Sequence, residues 1–281
     1  MSCIDVSDLR YQVSSGKEIL CGVSFEVNYN DRIAVLGNNG AGKTSLFETM
    51  LGVVSPSSGR VTFDEELQSP SRISAIWDSF EILPNFKVGE LVKYFSLMYG
   101  GTPETAIFTL LKIEELKAKR MKYLSKGERK RVAIAVALMS HPKVLFSDEL
   151  TSDLDKQTQD DVWKFLSDKG ITTLFITHKW DEAKAYANQF LLIYKGHNIA
   201  PLSTEKQLLS MLPFDKKMVT ENKDDVPRIA DSFQYTEGER SVSLVSSRSD
   251  LSQYTKTNDL SLSEPDIYDV YRYLSSKEVK S

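Results

Sequence analysis

Two cysteines, Cys3 and Cys21, are all that the 281 residues contain. No disulfide framework can therefore staple the fold, and the pair lacks metal-ligand spacing. Both read as ordinary thiols in a reducing compartment. An excess of cations is also missing: 35 lysines and arginines against 39 acids leave a net charge of −4, which argues against a surface built as a whole to trap nucleic acid. No apolar run approaches the roughly 18–20 residues of a membrane span. The opening stretch MSCIDVSDLRYQVSSGKEIL has no basic region leading into an apolar one, so the expected location is the cytoplasm. No motif recurs, which excludes repeat architectures. The length suits one sizeable domain with a smaller companion, or two modest domains.

What the chain does have is alternation. RIAVLG (32–37), KVLFSDE, ITTLFITH and NQFLLIYKG are short apolar runs of the kind buried in parallel sheets, and helical patterns separate them. Such alternation predicts an α/β fold with a largely parallel sheet. GRVTFD reads as an outer strand, Gly52 as the cap of the helix through TSLFETMLG, and VGELVKYFSLMYGG as a helix stopped by paired glycines. TPETAIFTLLKI opens with Thr102 as the expected N-cap and Pro103 in the first turn. Beyond about Ala200 the composition turns polar, with short strand-like pieces such as SVSLVS. A final helix is expected in SEPDIYDVYRYLSS, capped by Ser263 with Pro265 in its first turn.

Chemistry concentrates in GNNGAGKTS, from Gly37 to Ser45, which fits G-x-x-x-x-G-K-[ST] directly after a strand and directly before a helix. Gly37, Gly40 and Gly42 let the backbone wrap, so that the amides of Asn38, Asn39, Ala41 and their neighbours point inward at phosphate oxygens. The helix N-terminus adds its dipole. Lys43 can reach the β- and γ-phosphates of a nucleoside triphosphate, and the Thr44 hydroxyl can ligate Mg2+. A second signal is VLFSDE, which carries Asp148 and Glu149 to the C-terminal end of a strand, where ligands of parallel sheets sit. Asp148 can hold Mg2+ through water, and Glu149 can orient or deprotonate an attacking water. His178, after FIT, could contact the γ-phosphate.

Taken in order, GNNGAGKTS, LSKGE, VLFSDE, SDLD and TH resemble the motifs of the ATP-binding subunits of ATP-binding cassette (ABC) transporters, over roughly Ile4 to Ile199. The resemblance implies a P-loop ATPase with a RecA-like core, an antiparallel β subdomain and a helical subdomain at about 85–140, all within residues 1–200. It leaves 201–281 as a small C-terminal α/β or partly disordered extension. It also implies ATP and Mg2+ as cofactors and a head-to-tail dimer on ATP binding. In that dimer Ser125 and the Gly127 amide of LSKGE would grip the partner's γ-phosphate, and Asp155 would lie in the loop crossing the interface. Tyr11 matches the aromatic that stacks on adenine. Arg129, Lys130 and Arg131 are expected to face solvent, acidic neighbours or membrane partners, with no nucleic acid bound.

Departures from the family pattern are as informative. Asp78 stands where a glutamine usually senses Mg2+ and touches the membrane subunit. Were Asp78 only a loop acid, Phe80, Ile82 and Phe86 would have to make that contact. Lys126 replaces the first signature glycine, Glu128 its glutamine, Leu150 a proline, and Asp153 a small residue. The expected function is ATP hydrolysis that powers separate transmembrane permease subunits from the inner face of the membrane. The short helical insert, the SKG signature and the closing LSEPDIYDVYRYL resemble exporter ATPases. The alternative is a soluble cassette ATPase with a regulatory, non-transport role. A twin-cassette translation factor, a chromosome-maintenance ATPase and an unrelated P-loop enzyme fit less well: one cassette is present, the segment from Lys43 to Ser125 is too short for a long coiled coil, and LSKGE with SDLD has no place in the third.

Overall fold

The computed structural model describes residues 2–78, 83–100, 104–220, 229, 231–246 and 260–278. Phe80, Ile82, Thr102 and Pro103 lie outside them. The chain divides into two compact units, Met1–Asn198 and Ile199–Ser281.

The first unit holds two sheets. Strands β1 (Ser2–Gln12), β2 (Glu18–Asn28) and β4 (Ser58–Phe63) form an antiparallel sheet in the order β2-β1-β4. The other sheet has six strands: β3 (Arg32–Leu36), β5 (Ile73–Ile76), β6 (Val144–Asp148), β7 (Thr172–Ile176), β8 (Gln189–Tyr194) and β9 (His197–Asn198), ordered β5-β6-β7-β3-β8-β9. All neighbours are parallel except β8 and β9. Every residue of β7 is buried, as are four of the five in β3. That explains their unbroken apolar character: with both faces covered there is no solvent side to alternate toward.

Helix α1 (Lys43–Met50) follows β3. Between β5 and β6 come α2 (Val88–Tyr99), α3 (Thr105–Leu110), α4 (Ile113–Leu116) and α5 (Lys126–Leu138), while α6 (Lys156–Asp168) and α7 (Trp180–Tyr186) flank β7. The expected N-cap at Thr102 is displaced: α3 starts at Thr105 with Glu104 at its cap, and Glu104 pairs with Lys169 rather than with a helix amide.

The second unit contains α8 (Glu205–Leu209), strands β10 (Lys216–Thr220), β11 (Phe233–Glu237), β12 (Arg240–Val245) and β13 (Leu260–Ser263) in the antiparallel order β11-β12-β10-β13, and α9 (Ile267–Glu278). Ser263 does not cap the last helix. It pairs with Lys217 at the end of β13, and the cap falls to Asp266, whose Oδ1 accepts from the Asp269 amide at 3.1 Å while Asp269 Oδ2 accepts from the Asp266 amide at 2.7 Å. Asp269 is fully buried. It also accepts from the Tyr235 hydroxyl at 2.5 Å and pairs with Lys217 at 3.1 Å. Burial, and then that hydrogen bond, push the Tyr235 phenol far above its ordinary range. One carboxylate thus ties β10, β11 and α9 together, which specifies a single arrangement of the unit.

Candidate functional site

The turn from β3 into α1 is held by two close approaches. A side chain at Gly37 would run into the carbonyl oxygen of Ile193 in β8, and a Cβ at Gly42 (φ 105°) would stand 3.0 Å from the Ile19 carbonyl oxygen. Only glycine satisfies both positions. Lys43, 5% exposed, folds back over the turn and donates to the carbonyls of Gly37 (2.7 Å) and Asn38 (3.0 Å). Burial lowers its pKa, and the charges of Asp148 and Glu149 oppose that shift.

Two further strand ends arrive at the same place. Asp148 closes β6, and its Oδ2 accepts from the Thr44 hydroxyl at 3.1 Å. Burial raises its pKa, with the Thr44 hydrogen bond acting against that. Glu149 follows in the left-handed region at φ 55°, its amide bonded to the Ile176 carbonyl of β7 at 3.0 Å. Non-glycine residues adopt that conformation at a cost, and such strain concentrates at functional sites. The turn aims the carboxylate across to the end of β7, where Oε1 accepts from the His178 amide at 2.9 Å and lies 4.0 Å from His178 Nε2. Burial raises the Glu149 pKa too; the His178 amide bond pulls the other way. Glu182 of α7 braces the loops on either side, accepting from Thr151 at 2.5 Å and from Thr177 at 2.7 Å.

These groups open on one cavity of about 570 Å³, walled by Asn39, Gly40, Gly42, Lys43, Thr44 and Ser45 from the glycine-rich turn and by Asp78, Asp148, Glu149 and His178 from the strand ends. Gly37, Asn38 and Ala41 belong to the same turn but do not line it. Lys17 and Ile19 do, and no motif marked them beforehand: they reach the cavity only because the end of the β1–β2 hairpin lies over the turn. Among the described residues no group of three His, Cys, Asp or Glu side chains could hold a metal alone. A hydroxyl and one carboxylate at bonding distance nevertheless suit Mg2+, which is commonly held by one or two protein carboxylates while phosphates and water complete its shell.

Four expected site residues stand elsewhere. Tyr11 is half-buried in β1 opposite Leu20 and is not part of the cavity wall. Ser125 caps α5: its Oγ accepts from the Glu128 amide at 3.2 Å, and Glu128 Oε2 accepts from the Ser125 amide at 2.8 Å. Glu128 also pairs with Lys119 at 2.7 Å, a contact that a glutamine could not make as an ion pair. Gly127 presses against the Asp153 carbonyl, 2.5 Å from where its Cβ would be. Asp155 caps α6, accepting from the Thr158 amide at 3.0 Å and its hydroxyl at 2.7 Å, which lowers its pKa. Within LSKGERKR, Lys130, expected with Arg129 and Arg131 to face solvent, acidic neighbours or membrane partners, is buried; burial lowers its pKa, and the charges of Asp78, Glu149, Asp153 and Asp148 oppose that shift.

The sequence model of the ABC transporter family matches residues 20–152. That span includes the glycine-rich turn, LSKGE and the acidic pair, but not Tyr11, Asp155 or His178. Among curated relatives, the energy-coupling factor transporter ATP-binding protein EcfA2 of Clostridium perfringens is 33% identical over 216 residues, covering 70% of this chain and 76% of that one. The spermidine/putrescine import ATP-binding protein PotA of Vibrio cholerae is 28% identical over 197 residues, 64% of this chain and 52% of its own length. Among solved structures, cbiO1 of Clostridium perfringens, described as part of the transporter complex cbiONQ, superimposes with a TM-score of 0.60 at 28% identity over 75% of this chain and 94% of its own. An ATP-binding subunit of an ABC transporter reaches a TM-score of 0.67 over 75% of this chain and 93% of its own, and at 20% identity it speaks for the fold alone.

Proposed function

The chain belongs to the ABC transporter family and is an ATPase; from that premise we propose that two copies, or one copy and a paired cassette, close head to tail on Mg·ATP and power transport through separate membrane subunits. The observation that carries this reading is the convergence of Lys43, Thr44, Asp148, Glu149 and His178 on one cavity. Lys43 turns from the loop carbonyls to the β- and γ-phosphates. Thr44 and Asp148, with Asp78 on the same wall, would hold Mg2+, which would supply charge neutralisation to the phosphates. Glu149 accepts the proton of the attacking water, and His178 meets the γ-phosphate. Ser125, Gly127 and Asp155 do not line the chain's own cavity, which supports their acting on the partner's nucleotide.

Tyr11→Ala is expected to weaken ATP binding by ~1–3 kcal/mol, the range of base stacking on an aromatic ring. Calorimetric titration with ATP measures it, and unchanged affinity would return Tyr11 to a purely structural place in β1.

Contact with a membrane subunit is supported by α2. Tyr94, Leu97 and Met98 are 52%, 75% and 53% exposed and stand at i, i+3 and i+4, on one helix face; Phe86 just before the helix is exposed as well. A contiguous apolar face of this kind marks a docking surface. It would hold the protein on the inner face of the membrane. Leu97→Asp should abolish co-purification with the membrane subunits and leave ATP binding intact. Full retention of the complex would remove this face from the docking site. The direction of transport has two supports that point apart: the signature form and closing segment toward export, the PotA relative, described as an import protein, toward import. Sealed vesicles carrying the complete transporter, with ATP added outside, separate them by whether substrate accumulates or leaves.

A further inference from the structure

Glu182 stands in the first turn of α7, outside the motifs that carry the chemistry and outside the cavity wall. Its half-buried carboxylate bridges two buried threonines, one on each oxygen: Oε1 accepts from Thr151 Oγ1 at 2.5 Å and Oε2 from Thr177 Oγ1 at 2.7 Å. The N-terminal end of a helix favours an acid at that place. Buried hydroxyls need partners, but a backbone carbonyl could serve each of them separately. What one carboxylate adds is a link between the two loops.

Those loops present the reacting groups. Thr151 lies two residues after Glu149, and Thr177 is the residue before His178. Each threonine is also fixed within its own surroundings: the Thr151 carbonyl accepts from Gln159 Nε2 at 3.0 Å, and Thr177 Oγ1 accepts from the Lys179 amide at 3.1 Å. Between them Glu149 holds its left-handed φ of 55° and keeps Oε1 on the His178 amide at 2.9 Å. Such a backbone persists only where its surroundings over-determine it. We propose that Glu182 is a positioning residue for ATP hydrolysis: by bridging Thr151 and Thr177 from outside the cavity, it holds the Glu149 turn and the His178 turn in register.

The inference rests on Glu149 being the base, so Glu149→Gln is measured beside it. Steady-state ATPase kinetics on the full chain should show kcat of Glu182→Ala lowered by about ten- to a hundredfold, the size of a small misplacement of a reacting group, with KM for ATP within about threefold. Glu182→Gln should recover most of that loss, because its oxygen can accept from one threonine while its amide donates to the other, and a hydroxyl does both. Thr151→Val and Thr177→Val keep the shape and remove one bond each. Each should lower kcat, and neither should add its full effect in the Glu182→Ala background, as expected for groups in one network. A role in stability alone would lower the melting temperature and leave kcat per folded molecule unchanged. Should the alanine variant not fold, the two valine variants read the same loss of kcat at unchanged KM. Wild-type kcat in these variants, a glutamine variant as slow as alanine, or effects that add in full overturn the inference about Glu182 alone. Equal turnover in wild type and Glu149→Gln would sink both readings.

Discussion

Replacing Glu149 with glutamine is expected to leave Mg·ATP binding within a few-fold of wild type and to cut turnover by about 10²–10⁴, the contribution of a positioned general base. The amide is nearly isosteric and keeps an oxygen that can accept from the His178 amide, now 2.9 Å from the carboxylate, so the left-handed turn at residue 149 has no reason to relax. What is lost is the ability to take a proton. Both phosphate grips remain, and the ATP-bound dimer should therefore accumulate; light scattering with ATP would detect the doubled mass. Burial raises the Glu149 pKa, which makes it a stronger base than an exposed glutamate. With the folded value raised, the deprotonated base is lost on the acid side at a higher pH than for an exposed glutamate, and the acid limb of the wild-type rate profile should shift up accordingly. A glutamine variant turning over near the wild-type rate would remove Glu149 from the chemistry.

The second large effect is expected for Lys43→Ala, in binding rather than in the chemical step. A charged donor to phosphate contributes about 1.5–3 kcal/mol, so ATP affinity should fall by roughly ten- to a hundredfold, measured by calorimetry at fixed Mg2+. The variant should also be less stable without nucleotide. Lys43 now satisfies the Gly37 and Asn38 carbonyls, and the loss of a hydrogen bond of this kind costs about 0.5–1.5 kcal/mol. Unchanged ATP affinity would count against the turn as a phosphate cradle.

The cradle and the acidic pair were legible in the sequence because their chemistry is local: a short apolar strand, a glycine-rich turn and a helix start are adjacent in the chain, and each imposes its residue types directly. Lys130 was not legible. Three cations within Arg129–Arg131 give no sign of which one turns inward, and the burial of Lys130 follows only from the packing of α5, which lies against β5. Lys17 and Ile19 were missed for the same reason, since the β1–β2 hairpin end meets the turn only in three dimensions. In the second unit, KKMVT and FQYTE are strands with one exposed face, so their apolar signal is thin. Ser263 looked like a helix cap because serine serves both purposes; its pairing with Lys217 in β13 decided the matter, and Asp266 took the cap.

The crowding at Gly37 has a thermodynamic consequence. With the Ile193 carbonyl on one side and Lys43 drawn across the other, the glycine-rich turn is held by contacts within the protein itself. Association then requires little ordering of the protein, so the unfavourable entropy of binding should come mainly from the nucleotide's own lost freedom. The association rate should be set by diffusion and by the field of the cavity rather than by a slow rearrangement of the turn. Stopped-flow mixing with a fluorescent ATP analogue would show this as a single phase, linear in nucleotide concentration, where a turn that folds around its ligand would saturate.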